Sequence, residues 1–134
     1  MDRKELAVRF HDTGDNCAQS VVLAFEDVWG DRHDRNTVFR LMEPFGAGLG
    51  SRRGTCGAIS GMAAVLGMLN ADGDPEHPYT KAHCYELIAE ASRRFEEVVT
   101  DTICERIKEA EDRPALYPCQ GCIELAVEIL ESMI

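Results

Sequence analysis

Apolar positions along this chain recur at intervals of three and four, and strict alternation is nearly absent, so the pattern predicts helices throughout. A first short helix is expected from Asp2 to His11, ending near Thr13-Gly14. A second is expected from Asn16 to Trp29, with Ala18, Val21, Val22, Phe25, Val28 and Trp29 as its apolar stripe and Gly30 as its stop. A third covers Arg35 to Glu43 and ends before Pro44. The segment from Cys56 to Asn70 is almost entirely small or apolar and reads as the buried central helix. After the turn Ala71-Asp72-Gly73-Asp74-Pro75, Pro78 is expected to open a long helix to Val99. Its inner face would be Leu87, Ile88, Ala91, Phe95 and Val98. Thr102-Ile103-Cys104-Glu105 reads as a capping box. A last helix from Cys119 to Met133 presents Ile123, Ala126, Val127, Leu130 and Met133. The reading is all-α: one compact domain over residues 1–134, a bundle of about five to seven helices.

Composition narrows the class. The chain has 134 residues, 45% hydrophobic and 28% charged, which is globular rather than disordered. Acidic residues number 24 against 14 basic, for a net charge of −10. Such a surface repels phosphate backbones and anionic lipids, so nucleic acid and membrane surfaces are excluded as partners. Met1-Asp2-Arg3-Lys4-Glu5 lacks the apolar run of a signal peptide, and the apolar stretch Ala58 to Leu69 is too short to cross a bilayer. A cytoplasmic protein without membrane insertion is the expectation. In a reducing compartment, six cysteines point to metal, cluster or catalytic roles rather than static disulfides.

Four of the six share a placement. Cys17 follows Asp15, a good N-cap, Cys56 follows Thr55, Cys104 follows the capping Thr102, and Cys119 follows Pro118. Each falls in the first turn of an expected helix, where free backbone N–H groups and the helix dipole favour thiolate over thiol. Each also starts an apolar stripe: Cys17 leads to Val21 and Phe25, Cys56 to Ile59 and Ala63, Cys104 to Ile107, and Cys119 to Ile123, Ala126 and Leu130. If those faces pack together, four sulfurs meet at one end of the bundle. Cys84 lies inside the long helix in line with Leu87, Ile88 and Ala91 and reads as core. Cys122 completes a C-x-x-C pair with Cys119 and also sits on the inner face of the last helix, so it stands as an alternative site residue.

A glycine-rich loop, Phe45 to Gly54, precedes Cys56. No strand leads into it and no Gly-Lys-Ser/Thr follows, so it is neither a dinucleotide nor a P-loop motif. Gly48, Gly50, Gly54 and Gly57 are candidates for cofactor contact, through close backbone approach or N–H groups aimed at sulfur or an anion. Arg52 and Arg53 could assist an anionic ligand or partner. His11, His33 and His77 fall near helix ends and are expected at the surface; no two histidines form a metal motif.

These residues resemble a known family, the redox-active proteins named for their C_GCAxxG_C_C cysteine pattern. The resemblance rests on Asn16-Cys17-Ala18-Gln19-Ser20 and on Gly54-Thr55-Cys56-Gly57-Ala58-Ile59-Ser60-Gly61 behind the glycine loop. Cys104 matches the third signature cysteine and Cys119 the fourth, while Cys84 and Cys122 are additions to the pattern. The resemblance implies an α-helical fold and redox activity. A similar domain fused to a haem module is associated with a [2Fe–2S] centre.

Two mechanisms suit four converging cysteines. Cys17, Cys56, Cys104 and Cys119 could ligate an iron–sulfur cluster, most simply [2Fe–2S], which takes four thiolates. Alternatively, two of them could cycle between dithiol and disulfide. Structural zinc would ask for paired short spacings, and only Cys119/Cys122 offers one. A helical interaction module with core cysteines is the reading from a different class. The redox reading calls for an unidentified redox partner protein and leaves room for a homodimer.

Overall fold

In the computed structural model, which describes residues 1–134, polar side chains set where the early helices begin. Asp2 accepts the Glu5 amide and the Glu5 carboxylate accepts that of Asp2, which starts α1 (Arg3–Asp12). Asn16, rather than the expected Asp15, caps α2 (Cys17–Leu23), repeating the device with Gln19 one residue nearer the helix. The expected run from there to Trp29 breaks in two. The Phe25 amide turns to the Val22 carbonyl at 3.1 Å, three residues back, and a separate turn, α3 (Glu26–Trp29), follows. The Trp29 indole nitrogen donates to that same Val22 carbonyl at 2.9 Å. Both rings are thereby carried fully into the core.

Asp34 caps α4 (Arg35–Met42) through the Thr37 amide. A 3₁₀ turn over Glu43–Phe45 then accommodates Pro44. The remaining helices are α5 (Gly57–Asn70), α6 (Lys81–Val99), α7 (Cys104–Ile107) and α8 (Cys119–Met133). Eight α-helices therefore replace the expected five to seven. No helix is long and apolar enough to cross a membrane. α5 is the axis: it packs on α2, α6 and α8, while α1 closes over α8 and α2. Phe25, Trp29, Met62, Leu66, Phe95, Ile123 and Leu130 fill the interior.

Several expected details shift. α6 opens at Lys81 rather than Pro78, because turn hydrogen bonds His77 N–H to Asp74 O (3.2 Å) and Tyr79 N–H to His77 O (2.9 Å) hold the segment before it. Its buried stripe is Ala91, Phe95 and Val99; Val98 lies one residue off that four-residue spacing and is 48% exposed. Ala63 on α5 also faces outward. Cys84 is half-buried and outside the core cluster, since the first turn of α6 overhangs a groove shared with Pro75 and Tyr85. Thr102 forms no cap: Ile103 is the N-cap of α7, and the Thr102 carbonyl accepts from elsewhere.

Candidate functional site: a cavity walled by five cysteines

That acceptor is the key to the site. The Cys56 amide donates to Thr102 O at 2.8 Å and the Cys104 amide donates to Gly54 O at 3.0 Å, around an antiparallel bridge of Thr55 with Ile103. Two short backbone bonds therefore bring the start of α5 beside the start of α7. Cys17, Cys104 and Cys119 are each the first residue of their helix and Cys56 is the N-cap of α5. The four helix starts point to one place. Cys17, Cys56, Cys104, Cys119 and Cys122 all line a single cavity of about 160 Å³. Cys84 is not part of it.

The glycine loop gives this cavity one lining residue, Ala47, and has an unusual backbone. Ala47 (φ 51°, ψ 43°), Gly48 (φ 57°, ψ 57°) and Leu49 (φ 59°) follow one another in the left-handed region, closed by the Gly50 amide on Gly46 O at 2.9 Å. One left-handed turn results. For Ala47 and Leu49 this geometry costs roughly 1–2 kcal/mol each, and such strain persists where the surroundings over-determine it. Here it turns the Ala47 amide toward the Cys17 sulfur. It also presses Gly48 against Cys104, where an added Cβ would stand 2.5 Å from the Cys104 Cβ. Gly57 makes the matching allowance across the cavity: its Cβ would lie 2.3 Å from the Cys17 sulfur. Gly54 acts through its backbone, donating to Gly48 O at 3.0 Å besides accepting from Cys104. Of the four candidate glycines only Gly57 lines the cavity; Gly48 and Gly54 act from behind it, and Gly50 closes the turn on the exposed side.

The sulfurs are electrostatically unequal. The Cys56 thiol is lowered to about 7, first because the Cys122 thiol hydrogen-bonds to it, then because the Ala58 and Ile59 amides face it and Lys108 lies nearby. Cys122 is pushed up by the same bond and by burial. Burial raises Cys17, and the neighbouring Cys56 sulfur adds to it. Burial also raises Cys104, against the pull of Lys108 and Arg52. The contact thus favours the thiolate at Cys56 and the thiol at Cys122.

All six cysteines are free. No three His, Cys, Asp or Glu side chains converge where a single metal ion could sit. A dinuclear iron–sulfur centre divides four thiolates between two irons, so it calls for two pairs rather than one tight triplet. The donor set suits it in kind and number. The cavity also matches in scale one that admits a benzene-sized guest, about 150 Å³. Two further residues line the cavity without having stood out in the sequence, His11 and Lys108, beside the helix-starting Asn16. His11 is half-buried rather than exposed. Its only sequence signal is its place at the end of a helix that leads directly into the Cys17 segment.

A family model described as "Putative redox-active protein (C_GCAxxG_C_C)" matches residues 15–133. No curated protein and no solved structure matches the chain.

Proposed function

The chain belongs to the C_GCAxxG_C_C family, and from that premise we propose that it is an electron carrier whose centre is an iron–sulfur cluster, most simply [2Fe–2S], in the five-cysteine cavity. The observation that carries the reading is the ring of sulfurs from four helix starts around one small cavity. In this reading Cys17, Cys56, Cys104 and Cys119 are the ligands, and the cluster supplies one-electron chemistry. The chain's own groups tune it. Amides of Ala47, Ala58 and Ile59 face ligand sulfurs, and donors to sulfur offset negative charge and raise the potential. Cys122 stays protonated and serves as a donor to Cys56. Gly57 keeps the cavity free of side-chain carbon, and Gly48 lets the loop pack against Cys104.

A second reading is favoured by that Cys122–Cys56 contact: the two cycle as dithiol and disulfide. The Cys56 thiolate and the Cys122 thiol would together give up two electrons and one proton as the S–S bond forms, both electrons and the proton passing to the partner's disulfide, which is reduced to one thiol and one thiolate. Iron and acid-labile sulfide analysis of anaerobically prepared protein, with visible absorption, separates the two. The cluster reading expects iron and sulfide in equal amounts, abolished by Cys119→Ser but retained with a shifted potential in Cys122→Ser. Metal-free protein that forms a Cys56–Cys122 disulfide on oxidation would replace it with the dithiol reading.

A further inference from the structure

Beside Cys119 a second concavity of about 400 Å³ opens onto the surface, sharing Lys108 and Cys119 with the sulfur cavity. Arg52 and Lys108 flank it and the Tyr117 ring forms part of its wall. Both cations are free to meet a ligand, as are most lysines and arginines of this chain, of which only Arg3, Lys4, Arg35, Arg93 and Arg94 form ion pairs. Glu109, which also lines the rim, pairs with neither. Arg52 is moreover held in the left-handed region, at φ 68°. Its amide donates to Ala47 O at 2.8 Å and its carbonyl accepts the Glu105 amide at 2.7 Å. The strained loop that builds the cysteine cavity therefore also sets the position of Arg52. The neighbouring Arg113 is committed differently, donating to the carbonyls of Glu105, Arg106 and Lys108 and so fixing the segment that carries Lys108.

Two unpaired cations flanking one concave site, backed by an aromatic ring, form a receptor for an oxyanion. We infer that the cleft between Arg52 and Lys108 seats the carboxylate or phosphate of a small anionic reactant next to Cys119. A concave site of this volume suits a small molecule, and Lys108 and Cys119 belong to this cleft and to the sulfur cavity alike. The seat stands whichever chemistry the sulfur cavity performs.

Calorimetric titration of the full-length protein with citrate, and separately with inorganic phosphate, tests this and tells a carboxylate seat from a phosphate seat. Either anion should bind with saturation, at least tenfold more weakly in the Arg52→Gln/Lys108→Gln variant and unchanged in Arg32→Gln/Lys81→Gln, which removes the same charge elsewhere. Oxidation of the reduced protein by ferricyanide, a one-electron anionic acceptor, should slow about tenfold in the first variant, and oxidation by cationic hexaammineruthenium(III) should not. Absence of binding in the unmodified protein, or equal binding in both double variants, overturns the inference. Protein that binds the anion but reduces neither acceptor keeps this seat and defeats the redox reading instead.

Discussion

Replacing Gly57 by alanine adds one methyl group at the most crowded point of the site. The new carbon would stand 2.3 Å from the Cys17 sulfur, 3.1 Å from the Phe45 carbonyl and 3.3 Å from the Ala18 amide, where ordinary contact begins at 3.4 Å. The sulfur must therefore retreat by about 1.1 Å, against α2 on one side and the left-handed turn on the other. Overpacking of this kind costs roughly 1–3 kcal/mol, and alanine returns roughly 0.5–1 kcal/mol because glycine is the poorer helix former. Net destabilisation should be about 0–2.5 kcal/mol, too little to unfold a domain. A displacement near 1 Å is nonetheless enough to spoil a positioned reacting group by about a hundredfold. Gly67 supplies the control: it lies on the same helix with nothing within 4 Å of an added carbon, so Gly67→Ala should stabilise by roughly 0.5–1 kcal/mol. Urea unfolding gives the stabilities, circular dichroism the fold, and iron content with thiol titration the state of the centre. A Gly57→Ala protein as stable as Gly67→Ala, with its centre intact, would refute the close-packing argument.

Three other substitutions or conditions test the same structure. The rate of Cys56 alkylation in reduced, cofactor-free protein should rise with pH through a midpoint near 7, read by mass spectrometry; a midpoint at the ordinary thiol value of 9.0 would remove Cys122 and the α5 amides as its activators. Because that value is lower in the folded than in the unfolded chain, the Cys56 contribution to stability is complete above pH 9 and is lost as pH falls through 7. Cys122 is raised, so its contribution is complete below pH 9 and declines above it; unfolding midpoints of the metal-free protein should therefore climb from pH 7 to 9 and then fall. Trp29→Phe removes the buried bond to Val22 O and should cost roughly 1–3 kcal/mol in urea unfolding, with the redox centre unaffected. Cys84→Ala, at a half-buried position away from the cavity, should change stability by no more than about 1 kcal/mol and leave the redox behaviour as it was.

Helical periodicity carries far in this sequence because most of the stripes are continuous. The last helix runs from Cys119 to Met133 as expected, with Ile123, Ala126, Val127 and Leu130 buried. Periodicity fails where a single interaction overrides it. Nothing local in Val22 to Phe25 announces that the Trp29 indole will take a backbone carbonyl and break the helix. Thr102-Ile103-Cys104-Glu105 has the residues of a capping box, but the Thr102 carbonyl is bound by Cys56, 46 positions earlier, a pairing that helical patterning cannot register. The placement of four cysteines at helix starts was legible from where the apolar stripes begin, and not from capping chemistry: Asn16 alone caps with its side chain, while the starts at Cys56, Cys104 and Cys119 have no side-chain cap. That Cys122 rests on Cys56 was not, because it depends on how α8 is rotated against α5. The left-handed turn is equally hidden: glycines permit it, but Ala47 and Leu49 oppose it, and only tertiary contacts decide.

The bridge between Thr55 and Ile103 also bears on the order in which the molecule is made. Its partners are 48 residues apart, so closing it demands a large loss of chain freedom that α1, α5 or α6 never face while winding locally. The sulfur cavity is accordingly a late product of folding, assembled after the helices that deliver its walls. Before that closure the six thiols are scattered along a mobile chain and have fifteen ways of pairing completely. After it, five of them face one cavity and Cys56 has Cys122 as its neighbour. Renaturation under reducing conditions, with oxidant or iron supplied only afterwards, should recover protein that simultaneous oxidation traps in mispaired forms.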